Sequence, residues 1–223
     1  MERPCPTPLV YPGVFAAHVY FWQPAHLACH ISHPELGGKA KELHRLALPR
    51  HTPAMAIFEM ALAFTLLAEG NYVFDALDRG GPTMRGITLA TLSAYRGKPQ
   101  TAADVQALSL EETQAIYKKM YWAPIKGDSI IRQPVATVIF DMAVLCGPAQ
   151  AIRMAQATVG TKADGLLGPL TLAAINAMPS LQFLAGFTKI CDAYLKGIAQ
   201  ANPTQNRFLA GWSKRTSKFA NLA

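Results

Sequence analysis

Downstream of His51 the chain has no histidine; all six lie within residues 1–54. That absence excludes, from residue 55 onward, a Ser-His-Asp or Cys-His nucleophilic mechanism and any histidine-based metal site. Cysteine is scarce too: Cys5, Cys29, Cys146 and Cys191 form no CxxC pair and no dense framework, which excludes a disulfide scaffold. No glycine-rich phosphate loop of the P-loop or dinucleotide type is present. No apolar run reaches membrane-spanning length, since "AIFEMALAFTLLAEG" is short and interrupted by Glu59, so no integral membrane segment is expected. The start of the chain is broken by prolines and histidines, unlike a secretory signal. Acids are also few: 14 against 21 Lys and Arg, a net charge of +7. Such a balance points to a polyanionic partner. The bases are scattered apart from Lys118-Lys119 and "SKRTSK" near Lys214, so no stripe marks nucleic acid as that partner.

Composition changes near Met55. Residues 1–54 hold every histidine and eight of the sixteen prolines, with no period longer than a turn. The set His26, Cys29, His30 and His33 matches no closed zinc spacing. Residues 1–54 are expected to be a disordered extension, or a mis-called one preceding a natural start at Met55. From Met55 the pattern is helical. Helices are expected over about 56–69 and over 88–97, with Thr88 as N-cap and Gly97 as the end. Thr101/Asp104 and Ser109/Glu112 stand in capping-box spacing and open helices over 101–108 and 109–122. Further helices are expected over 133–147, 148–160, 170–178 and 180–201, with a short one in the tail. A small hairpin is expected around Gly80-Gly81. The fold class is mostly α.

Eleven acids follow Met55, and most have structural readings. Asp104 and Glu112 cap helices, with Glu111 beside the latter. Glu59 lies on the first helix away from the loop, and Asp128 and Asp164 sit beside glycines in turns. Asp192 has Lys189 and Lys196 at helical spacing. Glu69, Asp75, Asp78 and Asp141 remain. At 100° per residue Glu69 shares a face with Phe58, Leu62 and Leu66, so it projects from an apolar stripe. It also stands in the last helical turn, where the helix dipole disfavours a carboxylate. Both effects raise its affinity for a proton, as a general acid in glycosidic cleavage requires. The competing reading is a surface Glu at a frayed helix end before an ordinary Gly cap. Asp78 and Asp75 follow in a glycine-rich loop that could bring a second carboxylate opposite the helix end, with Thr83 holding a water. Taken singly, each Asp also reads as a turn former. Asp141 is alone in an apolar helix and needs a partner if buried. Neutralisation by Arg132 or Arg153 is a structural role that outweighs a catalytic one.

With these residues on view, "AEGNYVFDALDRGGPTMRGIT" resembles the opening motif of glycoside hydrolase family 108, phage endolysins and related N-acetylmuramidases. Glu69, Gly70, Tyr72, Val73, Asp75, Asp78, Gly80, Gly81, Thr83, Gly86, Ile87 and Thr88 carry the likeness. It continues through "LATLSAYRG", "IYKKMYWAPIKGD" and "VIFDMAVLCGPAQAI". The stretch "ADGLLGPLTLAAINA" and the tail "FLAGWSKR" are similar to the peptidoglycan-binding-like region that completes such enzymes. Departures are Asn71, Phe74, Ala76 and Arg79 in the loop, and Leu145 where the family often has Asn.

The resemblance implies a lysozyme-like helical fold, with a catalytic region over 55–135 and a helical peptidoglycan-binding-like region over 136–223 packed on it. It implies hydrolysis of the β-1,4 bond between N-acetylmuramic acid and N-acetylglucosamine, with Glu69 as the catalytic acid. The acid–Asp–Thr spacing, similar to that of other phage lysozymes, ranks Asp78 above Asp75 as its companion. Tyr72, Tyr121 and Trp122 are candidates to stack on sugars, core packing being the competing reading for Tyr121 and Trp122. Asp75 and Asp141 are further candidate substrate contacts. No metal or organic cofactor is expected, and glycan strands are the expected partner. Synthesis in the cytoplasm and release to the periplasm or wall through a holin-type pore is implied by the likeness to endolysins. The reading from another class is a non-catalytic wall-binding or secretion-assisting protein, and a lytic transglycosylase is a third.

Overall fold

The structure, a computed structural model, describes residues 55–69 and 83–222. Nine α-helices and a two-stranded sheet are present among these residues, giving a mostly-α, lysozyme-like fold as expected. The elements are α1 (Phe58–Glu69), β1 (Thr83–Met84), β2 (Ile87–Thr88), α2 (Leu89–Arg96), α3 (Ala102–Gln106), α4 (Leu110–Tyr117), α5 (Gln133–Cys146), α6 (Pro148–Thr158), α7 (Pro169–Ala177), α8 (Ser180–Ala201) and α9 (Leu209–Ser217). The expected extension over residues 1–54 lies outside the described residues.

Helix α5 is the centre of the molecule. Every residue from Val135 to Leu145 is buried, consistent with a helix that is apolar all round. It packs against α1 on one side and against α6 and α8 elsewhere. Two contacts 76 residues apart in sequence set the α1–α5 register. At the helix starts, the Gln133 amide accepts from Ile57 N–H at 2.6 Å and donates to Ile57 C=O at 3.1 Å. This gives the Ile57 N–H a partner that the helix itself does not offer, and adds a second donor to the Ile57 carbonyl, which also accepts from Ala61 N–H at 3.4 Å. Two turns later, Thr65 Oγ1 donates to Asp141 Oδ1 at 3.1 Å. The two helices therefore run parallel.

The caps follow the sequence closely. Thr88 accepts from Thr91 N–H, and Gly97 ends α2 at φ 70°, a left-handed conformation that favours glycine. Thr101 and Asp104 form the reciprocal capping box. Ser109 caps α4, but Glu112 does not complete a box; its carboxylate takes Arg96 Nε and Nη2 at 2.8 Å each.

One expectation is corrected. The single helix over 109–122 is instead α4 followed by a π-helical turn over Lys118–Trp122, with Ala123 N–H bonded to Lys118 C=O. Tyr117 and Trp122 are both fully buried, and on a regular helix residues five apart would diverge by about 140°. The wider π turn lets both rings enter the core. The hairpin turns at Arg85-Gly86, with Thr83 opposite Thr88 and Met84 opposite Ile87. Both turn residues have positive φ, 49° and 78°, the pairing a type I′ turn requires. Arg85 is held there by its side chain donating to Leu108 C=O at 3.1 Å and by Tyr117 Oη donating to its carbonyl at 2.8 Å. Gly80-Gly81, around which the hairpin was expected, lies outside the described residues.

Candidate active site

Glu69 is the last residue of α1. The inward stripe that precedes it is buried at Phe58 and Leu62 and half-buried at Leu66. The opposite face is exposed at Ile57, Met60 and Leu67, so the uniformly apolar sequence of α1 overstates how much of the helix is covered. Tyr72, Asp75 and Asp78, expected to face Glu69 or the glycan, lie outside the described residues. Thr83 opens β1, is 5% exposed, and stands where the hairpin begins after that loop.

Trp122 does not face solvent. It is fully buried, edge-on to Phe58 and Phe140 with ring centroids 5.7 and 5.6 Å away, and its Nε1 donates to Asp128 at 2.8 Å. The sugar-stacking role expected of it is therefore corrected to core packing. Aromatic area of this size contributes more by leaving water in the core than it could on a surface. Tyr121, by contrast, is half-buried, its ring centroid 5.6 Å from that of Tyr117.

Asp141 is corrected as a substrate contact as well. It is fully buried, and Arg215 clasps it bidentately, Nε to Oδ2 at 2.7 Å and Nη2 to Oδ1 at 2.9 Å. The neutralising partner is thus Arg215 rather than Arg132 or Arg153. A carboxylate in this setting is held by its ion pair and by Thr65, as a buried charge must be. Asp192, expected to pair with Lys189 and Lys196, accepts instead from Thr216 Oγ1 at 2.6 Å.

Asp104, Glu112 and Asp164 are structural, while Glu59 and Glu111 are exposed. The Thr101 hydroxyl and backbone bonds hold Asp104 below the usual carboxylate range, the Arg96 guanidinium does the same for Glu112, and the Gln156 amide for Asp164. Among the thiols, burial pushes Cys146 up to about 12 and Cys191 upward as well. Neither is a nucleophile at neutral pH.

Sequence reasoning missed Thr65 and Arg215. A signal was present for each. Thr65 is the lone hydroxyl in the run "AFTLLAE", four residues before Glu69. Arg215 lies three after Trp212 and four before Phe219, at the spacing of a buried helix face.

The comparisons agree with this architecture. Residues 62–147 match the family model described as glycosyl hydrolase 108, and residues 150–217 match a predicted peptidoglycan domain. The two stretches meet at the α5–α6 junction, so the division at 135/136 expected from sequence falls inside the first of them. Among solved structures the chain is similar to SagA of Brucella abortus, at 35% identity and a TM-score of 0.66, covering 74% of this chain and 91% of that one. No curated protein matches the chain. With its central helix pair, its peptidoglycan-type second half and this likeness along most of its length, the chain belongs to the glycosyl hydrolase 108 family and is a glycoside hydrolase acting on peptidoglycan.

Proposed function

We propose that the protein cleaves the β-1,4 bond between N-acetylmuramic acid and N-acetylglucosamine by general acid catalysis, with Glu69 donating the proton to the bridging oxygen. The observation that carries this reading is the position of Glu69, within the family match, at the end of a helix whose inward stripe is buried against α5. There the partial negative charge of the helix terminus disfavours a carboxylate and favours the protonated acid. Asp78 is the companion carboxylate that stabilises the oxocarbenium charge or activates water, and Thr83 orients that water. Tyr121 offers its ring to a sugar face, and Tyr72 and Asp75 contact the glycan from the loop.

The net charge of +7 favours approach to an anionic wall. As an endolysin of prophage origin, the protein is made in the cytoplasm and reaches the wall through a holin-type pore. No single helix among the described residues is long and apolar enough to cross a membrane.

Turbidity clearing of purified walls by wild type and Glu69→Gln tests the acid. Clearing by wild type alone supports it, and equal clearing by both rejects it. Mass spectrometry of the released muropeptides tests the reaction: reducing ends are expected, whereas 1,6-anhydro ends would make the protein a lytic transglycosylase.

A further inference from the structure

The buried group Thr65–Asp141–Arg215 lies outside the proposed chemistry, yet it occupies the core next to it. Asp141 is fully buried and Thr65 likewise, while Arg215 is 6% exposed. Thr65 belongs to α1, Asp141 to α5 and Arg215 to α9, so one carboxylate ties three helices together. Asp141 lies in the stretch matching the hydrolase family and Arg215 in the stretch matching the peptidoglycan domain. The ion pair therefore joins the two stretches deep in the core, as the bonds of Asn176 to Ile131 and Ser129 do nearer the start of α5. Thr65 is four residues before Glu69, one helical turn or about 6 Å along the axis.

Burying such a pair costs several kcal/mol of desolvation per ion, and packing alone is served as well by apolar side chains of similar volume. Directional bonds do what apolar packing does not: they set the rotation and height of α1 on α5. Among the interactions described between these two helices, the directional ones are the Gln133 clasp at the start and the Thr65–Asp141 bond two turns on. The second is the one near the catalytic end, and Arg215 fixes the carboxylate that makes it.

Resting on the reading of Glu69 as the acid, we infer that Thr65, Asp141 and Arg215 are positioning residues that hold the terminal turn of α1 in register, so that the C-terminal half of the chain sets the placement of the general acid. The effect belongs in kcat, because a displacement of about 1 Å at a reacting group costs up to a hundredfold in rate while the glycan still binds.

The test measures kcat and KM on solubilised glycan strands for Thr65→Val, Thr65→Ser, the double variant Asp141→Leu/Arg215→Met, and Glu69→Gln. Thr65→Val keeps the shape and leaves the ion pair intact. It is expected to melt close to wild type, with kcat about tenfold lower and KM unchanged. Thr65→Ser restores the hydroxyl and the rate. The double variant removes both members of the ion pair together and is expected to fold and show the same loss of kcat. Wild-type kcat in Thr65→Val and in the folded double variant overturns the inference. So does a loss confined to KM, or a failure of Thr65→Ser to restore the rate. If the double variant does not fold, the two Thr65 variants decide. Retained activity in Glu69→Gln removes the acid itself and the inference with it. A dead Glu69→Gln beside fully active Thr65 variants overturns only the positioning role.

Discussion

Gly127→Ala is a severe test of the packing beneath α1. A Cβ at this position would stand 2.2, 2.3 and 2.6 Å from Cε2, Cδ2 and Cζ2 of Trp122. Ordinary carbon contacts are about 3.5–4.0 Å, so the ring must retreat by more than an ångström. It has little room to do so, being backed edge-on by Phe58 and Phe140 and tied through Nε1 to Asp128. Overpacking of this kind costs about 1–3 kcal/mol, and the rigid surroundings place Gly127→Ala at the upper end. The loss of backbone freedom in the unfolded chain returns about 0.4–1 kcal/mol. The net is a destabilisation of about 2 kcal/mol, a fall in Tm of roughly 4–8 °C for a chain of this length. Circular dichroism melts measure it. Repeating the change in a Trp122→Phe background, where the outer ring of the indole is gone, should recover much of the loss, with a coupling energy of about 1–2 kcal/mol. A Gly127→Ala protein as stable as wild type, or strictly additive effects in the two backgrounds, would refute the reasoning.

Other outcomes follow from the same structure. Because Trp122 is fully buried, Trp122→Phe should lower stability and leave KM for glycan unchanged. Tyr121→Ala, at a half-buried ring, should raise KM; an unchanged KM removes it from the substrate surface. Asp104, Glu112 and Asp164 have carboxyls held low in the folded state. The stability they contribute is therefore present above their unfolded values near pH 4 and lost as pH falls through the depressed folded ones. Denaturant midpoints should drop in that window, and Glu112→Gln should flatten the drop. Cys146 and Cys191, whose thiols burial pushes upward, should resist alkylation at pH 8 in the folded protein and react once it is unfolded, as read by peptide mass mapping.

Much of the fold was legible in the sequence, because the features that decide it act over a few residues. Thr88, Thr101 and Ser109 cap helices through bonds to backbone three residues on. Gly97 ends one because only glycine adopts positive φ without strain. Glu69 stands out for a similar reason, since its place at the end of an apolar stripe is a property of one helix. What the sequence could not reveal depends on residues far apart along the chain. Trp122 and Tyr121 are neighbours with the same stacking chemistry, yet a π turn sends one wholly into the core and leaves the other half-buried. The carboxylate of Asp141 was read as needing a partner, and local spacing suggested Arg132 or Arg153. Its partner, Arg215, comes from 74 residues away, because α9 returns to the core. Caps and stripes are written by near neighbours. The choice of which charge meets which, and which ring meets water, is made only when the helices pack.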